Sequence, residues 1–229
     1  MKQYHQIQLQ ILQSLMYSNG LHFSKMKPSD MEGSQFSFHL DQLIKDRLVE
    51  KEDDAYKLSV KGKELANRMD VGDSTVKSQA KISVILSCIR RSRSKREFLL
   101  YTRKKNPFFG YQGFPTGKVK IGEEIAQAAV RELKEETNLE GIPKLYAIRH
   151  YRIYSTKKEL MEDKIFFAYR FDDPIGELRG NIEGEYQWIT EKGIWKYLKK
   201  PVNEIKEILE DIDNKIPTFK ENSYITDEF

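Results

Sequence analysis

Apolar side chains recur at Ile7, Ile11, Leu12 and Leu15, the spacing of one helix face, and Asn19-Gly20 closes the pattern, so a helix is predicted over residues 6–17. A short helical piece follows over residues 23–26, stopped by Pro28. Phe36, Leu40, Leu43 and Ile44 share the face of a third helix over residues 34–47. Residues 48–58 read as a hairpin with Glu52-Asp53-Asp54 at its turn, and residues 61–69 as a closing helix. The polar stretch DVGDSTVKSQAK then carries no hydrophobic period. We therefore expect a domain over residues 1–72, a linker over residues 73–80 and a second domain over residues 81–229.

The second domain has a different rhythm. Residues 82–89 and 97–101 read as strands around a charged turn at residues 90–96, and NPFFGYQGFPT as an irregular approach to a helix at residues 123–137. That helix would bury Ile125, Ala128, Ala129 and Leu133. Residues 145–155 and 164–171 alternate as an antiparallel pair, and residues 184–190 as a further strand. Val202, Ile205, Ile208 and Leu209 mark a last helix over residues 202–213, whereas residues 217–229 show no clear pattern.

Composition narrows the class. The 229 residues suffice for two modest cores, and 39% hydrophobic with 32% charged content describes an ordinary soluble protein. No apolar run approaches the ~20 residues that cross a bilayer, so no membrane partner is expected. The start, MKQYHQIQLQ, lacks the layout of a secretory signal, and the single Cys88 lies in an apolar run, where a structural thiol is expected. Both agree with a reducing cytoplasm, the expected location. Residues 1–72 hold ten Lys/Arg and ten Asp/Glu, so the formal net charge of +4 belongs to the remainder of the chain.

Candidate chemistry concentrates in one helix. Glu132, Glu135 and Glu136 fall at i, i+3 and i+4, which places three carboxylates on one helix face. So close together they repel unless a cation sits among them, and an all-oxygen set suits a hard ion, Mg²⁺ or alternatively Mn²⁺. Read in full, GKVKIGEEIAQAAVRELKEETNL resembles the Nudix box, G-x5-E-x7-R-E-U-x-E-E-x-G-U with U aliphatic. Gly117, Glu123, Arg131, Glu132, Leu133, Glu135, Glu136 and Leu139 fit it. Asn138 replaces the second Gly at a helix end that needs a left-handed backbone, which Asn tolerates best after Gly.

The resemblance implies an α+β chain whose second domain is a Nudix α/β/α sandwich with a mixed sheet. It also implies cleavage of the pyrophosphate of a nucleoside diphosphate linked to another moiety, such as ADP-ribose, a dinucleotide or an NDP-sugar, by metal-activated water. By the same resemblance Glu132, Glu135 and Glu136 are metal ligands and Arg131 pins their carboxylates. The main-chain carbonyl at Thr116 or Gly117 then lies near the metal. Glu123 either joins the site or starts the helix, where it would face the positive end of the dipole. A further carboxylate lies shortly before the strand Trp188, and Glu183 and Glu185 both qualify; Glu132 remains a rival for the general base. Arg103, ending FLLYTR, is the expected phosphate contact. A homodimer is the assembly that the resemblance suggests.

HLDQLIKDRLVEKEDDAYKLSVKGKELA in the first domain resembles the recognition helix and wing of small winged helix-turn-helix regulators. DNA is then a possible partner through residues 1–72, with Gln35, Ser37, Asp41, Gln42 and Lys45 facing outward. A wing tipped by Glu52, Asp53 and Asp54 would repel the phosphate backbone, however, and a dimerisation or lid module is the equal alternative. A metabolite-sensing regulator built on the same two domains is the rival to the enzyme.

Overall fold

The hydrophobic periods fold where they fall. The computed structural model describes residues 4–69 and 78–226. Its chain divides into two compact units, Met1–Ser78 and Gln79–Phe229. Of the expected linker, residues 73–77 lie outside the described residues and residues 78–80 carry no regular structure.

Unit 1 runs α1 (Gln6–Met16), β1 (Leu21–His22), α2 (Phe23–Met26), α3 (Gly33–Lys45), β2 (Val49–Glu52), β3 (Ala55–Leu58) and α4 (Val60–Ala66). Ile11, Leu12 and Leu15 of α1 meet Phe36, Leu40 and Leu43 of α3 in a buried core. The caps explain the helix starts: the His5 ring accepts a hydrogen bond from the Ile7 amide while Gln8 Oε1 accepts one from the His5 amide, and the Ser59 hydroxyl accepts from the Gly62 amide. Asp53 takes a positive φ of 52° at the hairpin tip, which Asp tolerates. The two-residue β1 pairs with β3, making a three-stranded sheet in the order β1-β3-β2. It is too short to leave a period in the sequence.

Unit 2 is built on β4 (Lys81–Ser92), β5 (Lys95–Arg103), β6 (Gln112–Gly113), β7 (Thr116–Lys118), α5 (Ile125–Thr137), β8 (Lys144–Ser155), β9 (Leu160–Asp172) and β10 (Gly184–Thr190). A 3₁₀ turn, α6 (Ile194–Tyr197), α7 (Ile205–Asp211) and β11 (Thr218–Thr226) complete it. The sheet order is β10-β5-β4-β9-β8-β11, with β6 on β5 and β7 on β4. β4 with β9 and β8 with β11 are parallel and the remaining pairs antiparallel, so the sheet is mixed.

Both faces of the sheet are covered, which is why β4 reads as a continuous apolar run rather than an alternation. Val84, Leu86 and Cys88 face Ala128, Ala129 and Leu133 of α5. Ile85 and Ile89 face the other way, in the core that holds Ile194, Ile205 and Ile208. Burial pushes the Cys88 thiol far up, in keeping with a structural role. The result is the expected α/β/α sandwich.

Three expectations shift. The turn expected over residues 90–96 shrinks to Arg93 and Ser94, both at positive φ, because Arg90 and Glu97 continue the ladder and form an ion pair at 2.8 Å. The last helix begins at Ile205 rather than residue 202, since the Val202 amide is drawn to the Gln112 carbonyl at 2.9 Å. Residues 218–226 form β11, parallel to β8, where the sequence shows no pattern. Its anchor is Arg149, fully buried, which donates to the carbonyl and the hydroxyl of Thr218 at 3.0 Å each and pairs with Asp211 of α7.

Candidate active site

Arg131 ties the helix α5 to the strand β7 and the loop between them. Its Nε and Nη2 donate to the two oxygens of Glu123 at 2.6 and 2.8 Å. Nη1 donates to Glu132 at 2.8 Å and Glu135 at 2.9 Å, and Nη2 also to the Lys118 carbonyl at 2.9 Å. The hydrogen bonds from Arg131, joined by one from the Lys120 amide, hold the Glu123 carboxyl down to about 2. Arg131 is itself pushed up by those carboxylates. Glu123 is thus not a helix-starting residue: α5 begins at Ile125 with Glu124 at the cap.

Glu132 is the buried member of the trio, and its Oε1 also accepts from the Lys118 amide at 3.1 Å. Gly117 is required opposite it. A Cβ there would lie 2.1 Å from Glu132 Cγ, and β7 cannot retreat because Gly117 pairs with Val84. Asn138 ends α5 at φ 60° and ψ 15°, the left-handed conformation expected of it, and its side-chain Nδ2 donates to the Glu177 carbonyl at 3.0 Å.

Glu136 turns toward β10. The Tyr186 hydroxyl donates to its Oε2, as does Asn181 Nδ2 at 2.9 Å. Asn181 Oδ1 meanwhile accepts from the Glu183 amide at 2.8 Å, so one side chain joins Glu136 to the turn that carries Glu183. Burial, then the Glu136 carboxylate, push the Tyr186 phenol up and keep it a donor. Glu183 pairs with Lys105 and Glu185 with Lys104. Glu183 lies in the turn before β10 and Glu185 within the strand, where Tyr186 and Trp188 pack toward α5 and Ile189 toward the opposite core, so Glu185 points away from α5. Burial and Arg103 lower the Lys105 ammonium, while Glu136 and Glu132 act to raise it.

Arg103 is held by its Nε to the Pro107 carbonyl at 2.6 Å, and residues 104–111 fold back so that the Tyr111 carbonyl accepts from its amide. It lines a pocket with Tyr101 and with Thr116, the neighbour of Gly117, while Ile85, Phe114, Ile205 and Ile208 close that pocket from the core opposite α5. Phe108, Tyr111 and Phe166 form aromatic wall, and Tyr151, Glu162, Lys164 and Glu204 add polar groups. The Tyr151 hydroxyl is buried and has no hydrogen-bond partner among the described residues. Burial pushes the Glu204 carboxyl, in a half-buried residue, up to about 7.

The expected residues therefore divide. Arg131, Glu132 and Glu135 form one hydrogen-bonded group with Glu123, Glu136 and Glu183 are joined through Asn181, Arg103 stands at the pocket, and Glu185 faces elsewhere. Sequence reasoning missed Asn181, Tyr186, Lys105, Tyr151 and Glu204. Only Tyr186 left a signal, as the residue between Glu185 and Gln187 whose alternation puts it on the α5 side.

Among the described residues no three His, Cys, Asp or Glu side chains are gathered closely enough to hold a metal ion as they stand. The donor set nevertheless fits a hard dication: three carboxylates within one turn of α5, no nitrogen or sulfur donor, and a backbone approach at Gly117 that a Cβ would fill.

Fold and site define an α/β/α sandwich with an arginine-tied carboxylate helix lying against a glycine strand. The chain belongs to the Nudix family: residues 81–211, more than half of it, match the model of the NUDIX domain. Residues 4–69 match a domain of unknown function, DUF7347. An ADP-ribose pyrophosphatase from Methanocaldococcus jannaschii is 48% identical over 52 residues, which are 23% of this chain and 30% of that protein. The chain thus spans under a third of that relative's length. Two solved structures share the fold. The mutator MutT protein from Bacillus halodurans has a TM-score of 0.54 at 20% identity, covering 65% of this chain and 93% of that one. The NUDIX domain of Shewanella oneidensis NrtR, complexed with ADP ribose, has 0.52 at 14%, covering 67% and 97%.

Proposed function

We propose that unit 2 is a pyrophosphohydrolase that cleaves a nucleoside diphosphate linked to another moiety, with ADP-ribose, a dinucleotide or an NDP-sugar as the substrate class, and releases a nucleoside monophosphate. The observation that carries this reading is the Arg131-tied carboxylate group of α5, set against Gly117 and beside a pocket lined by Arg103. Glu132, Glu135 and Glu136 would hold Mg²⁺, or Mn²⁺ in its place. Bound there, the ion supplies positive charge against the pyrophosphate oxygens and acidifies a water.

The chain's own residues do the rest. Arg131 offsets the mutual repulsion of Glu123, Glu132 and Glu135 and fixes their rotamers, so ordering of the site precedes substrate. Tyr186 and Asn181 do the same for Glu136. Arg103 and Lys105 bring two cations to the side where a polyanion would enter. Glu183, on the turn tied to Glu136, is better placed than Glu185 to accept the proton of an attacking water, which adds to phosphorus as the P–O bond of the anhydride breaks. The aromatic pocket supports the nucleoside end of the substrate.

ADP-ribose, dinucleotides and NDP-sugars are to be incubated with the full chain and Mg²⁺. Release of a nucleoside monophosphate from at least one is expected, and its loss in Glu136→Gln. A broad screen without turnover in either Mg²⁺ or Mn²⁺ would instead favour a nucleotide-sensing role. The hairpin of unit 1, bearing Glu50, Glu52, Asp53 and Asp54, supports an accessory role for that unit over DNA binding.

A further inference from the structure

The pocket lined by Arg103 and Thr116 holds polar groups that are unequally engaged. Glu162 pairs with Lys164 at 2.8 Å and with Lys81 at 3.6 Å, so that acid and the Lys164 ammonium are already spoken for. Tyr151 is different. It is 2% exposed, its ring lies against Phe166 and Tyr224, and its hydroxyl has no hydrogen-bond partner among the described residues. A buried hydroxyl left unpaired costs stability, and it marks a place where a polar atom of a bound molecule is wanted. Glu204, at the cap of α7, likewise forms no ion pair among the described residues.

Burial pushes the Glu204 carboxyl up to about 7, with its own amide and Lys164 acting downward and Glu162 and Glu207 upward. The Tyr151 phenol of β8 and the Tyr224 phenol of β11, which feel its charge, are both pushed up by burial and stay neutral. Below pH 7 the pocket thus offers a carboxylic acid, one donor and one acceptor side by side, and above pH 7 a carboxylate that only accepts. Adenine carries an amino donor next to a ring-nitrogen acceptor, the complement of the acid. Guanine carries two neighbouring donors on its pairing edge, the complement of the carboxylate. The aromatic walls Phe108, Tyr111 and Phe166 suit the flat ring of either base.

We propose that Glu204 and Tyr151 are the base-reading residues of unit 2, with adenine bound through the neutral Glu204 carboxyl and the Tyr151 hydroxyl adding a hydrogen bond to the ring. As the acid ionises, the preference moves from adenine toward guanine. This inference rests on the reading of unit 2 as a nucleotide enzyme for the presence of a base, and it adds which groups tell one base from another.

AMP and GMP are to be titrated calorimetrically into the full chain at pH 6 and pH 8. Neither has an anhydride to cleave, and their phosphates ionise alike, so the ratio of the two affinities reports on the base alone. The preference for AMP over GMP should fall by about fivefold or more from pH 6 to pH 8, the low end of what a bidentate base contact discriminates. Glu204→Gln keeps a donor and an acceptor and cannot ionise. It should hold AMP about as well as the wild type at pH 6 and abolish the pH dependence. Tyr151→Phe should weaken AMP by about threefold or more without lowering the melting temperature, since it removes a hydroxyl that has no partner. Four results would each overturn the proposal: no binding of either nucleotide up to about 1 mM, a preference unchanged by pH, the same pH dependence in Glu204→Gln, or unaltered AMP binding in Tyr151→Phe. A pH-dependent preference without turnover of any substrate would remove the hydrolase reading alone, and turnover without that preference would remove this inference alone.

Discussion

At the level of single residues, the site depends on backbone positions that admit few side chains. Asn138 holds a left-handed conformation that costs an ordinary L-residue about 1–2 kcal/mol. Asn138→Ala should therefore lower stability by about that amount. Asn138→Gly should change it by less than about 1 kcal/mol, since backbone relief is offset by loss of the bond to the Glu177 carbonyl. Urea denaturation of the two variants separates these outcomes. The need at Asn138 was legible because helix ends have a small vocabulary. The same holds for Arg131, whose spacing from Glu135 fixes their meeting on the helix. Asn181 was not legible, because its partners Glu136 and the Glu183 amide come together only through the pairing of β10 with β5. Nor was Glu204: in VNEIKE it reads as a solvent-facing acid, and only the folded pocket makes it a desolvated one.

Among the elements, the helices and long strands stood out because each buries a periodic stripe, whereas β11 did not. Its alternation of half-buried and exposed positions is filled by Thr, Lys, Asn and Tyr on one face and Phe, Glu, Ser and Ile on the other, so no hydrophobic period forms. Side-chain chemistry attaches it instead. Arg149 lies fully buried between β11 and Asp211 of α7. Asp211→Ala should cost about 3–5 kcal/mol by leaving that guanidinium without its carboxylate, whereas Arg149→Met should cost less, since the Asp211 carboxylate left behind keeps Lys220 at 3.2 Å and Asn214 at 3.0 Å. Calorimetric scans of the two variants would expose the asymmetry. His150 makes a second attachment, between Asp163 of β9 at 2.8 Å and Glu221 of β11 at 2.7 Å, and both carboxylates raise its pKa above 6.5. A raised value stabilises the fold fully below the unfolded pKa of about 6.5, and that contribution fades as pH rises through the folded value. The melting temperature should thus fall on going above pH 6.5, with a shallower slope in His150→Gln.

For the whole molecule, two units of different construction share one chain. Unit 1 closes its core from neighbouring helices and a hairpin, with Leu43 and Leu48 only a turn apart. Unit 2 relies on the distant parallel pairings of β4 with β9 and of β8 with β11. Thr218 lies 69 residues beyond the Arg149 that it satisfies. On a ribosome the consequence is an order of events: among the described residues the core of unit 1 is complete once residue 69 has emerged, while β8 must keep a bare edge and a hydrated Arg149 until α7 and β11 are made. During that interval the open side of β8 is the place where a neighbouring nascent chain could be mistaken for β11.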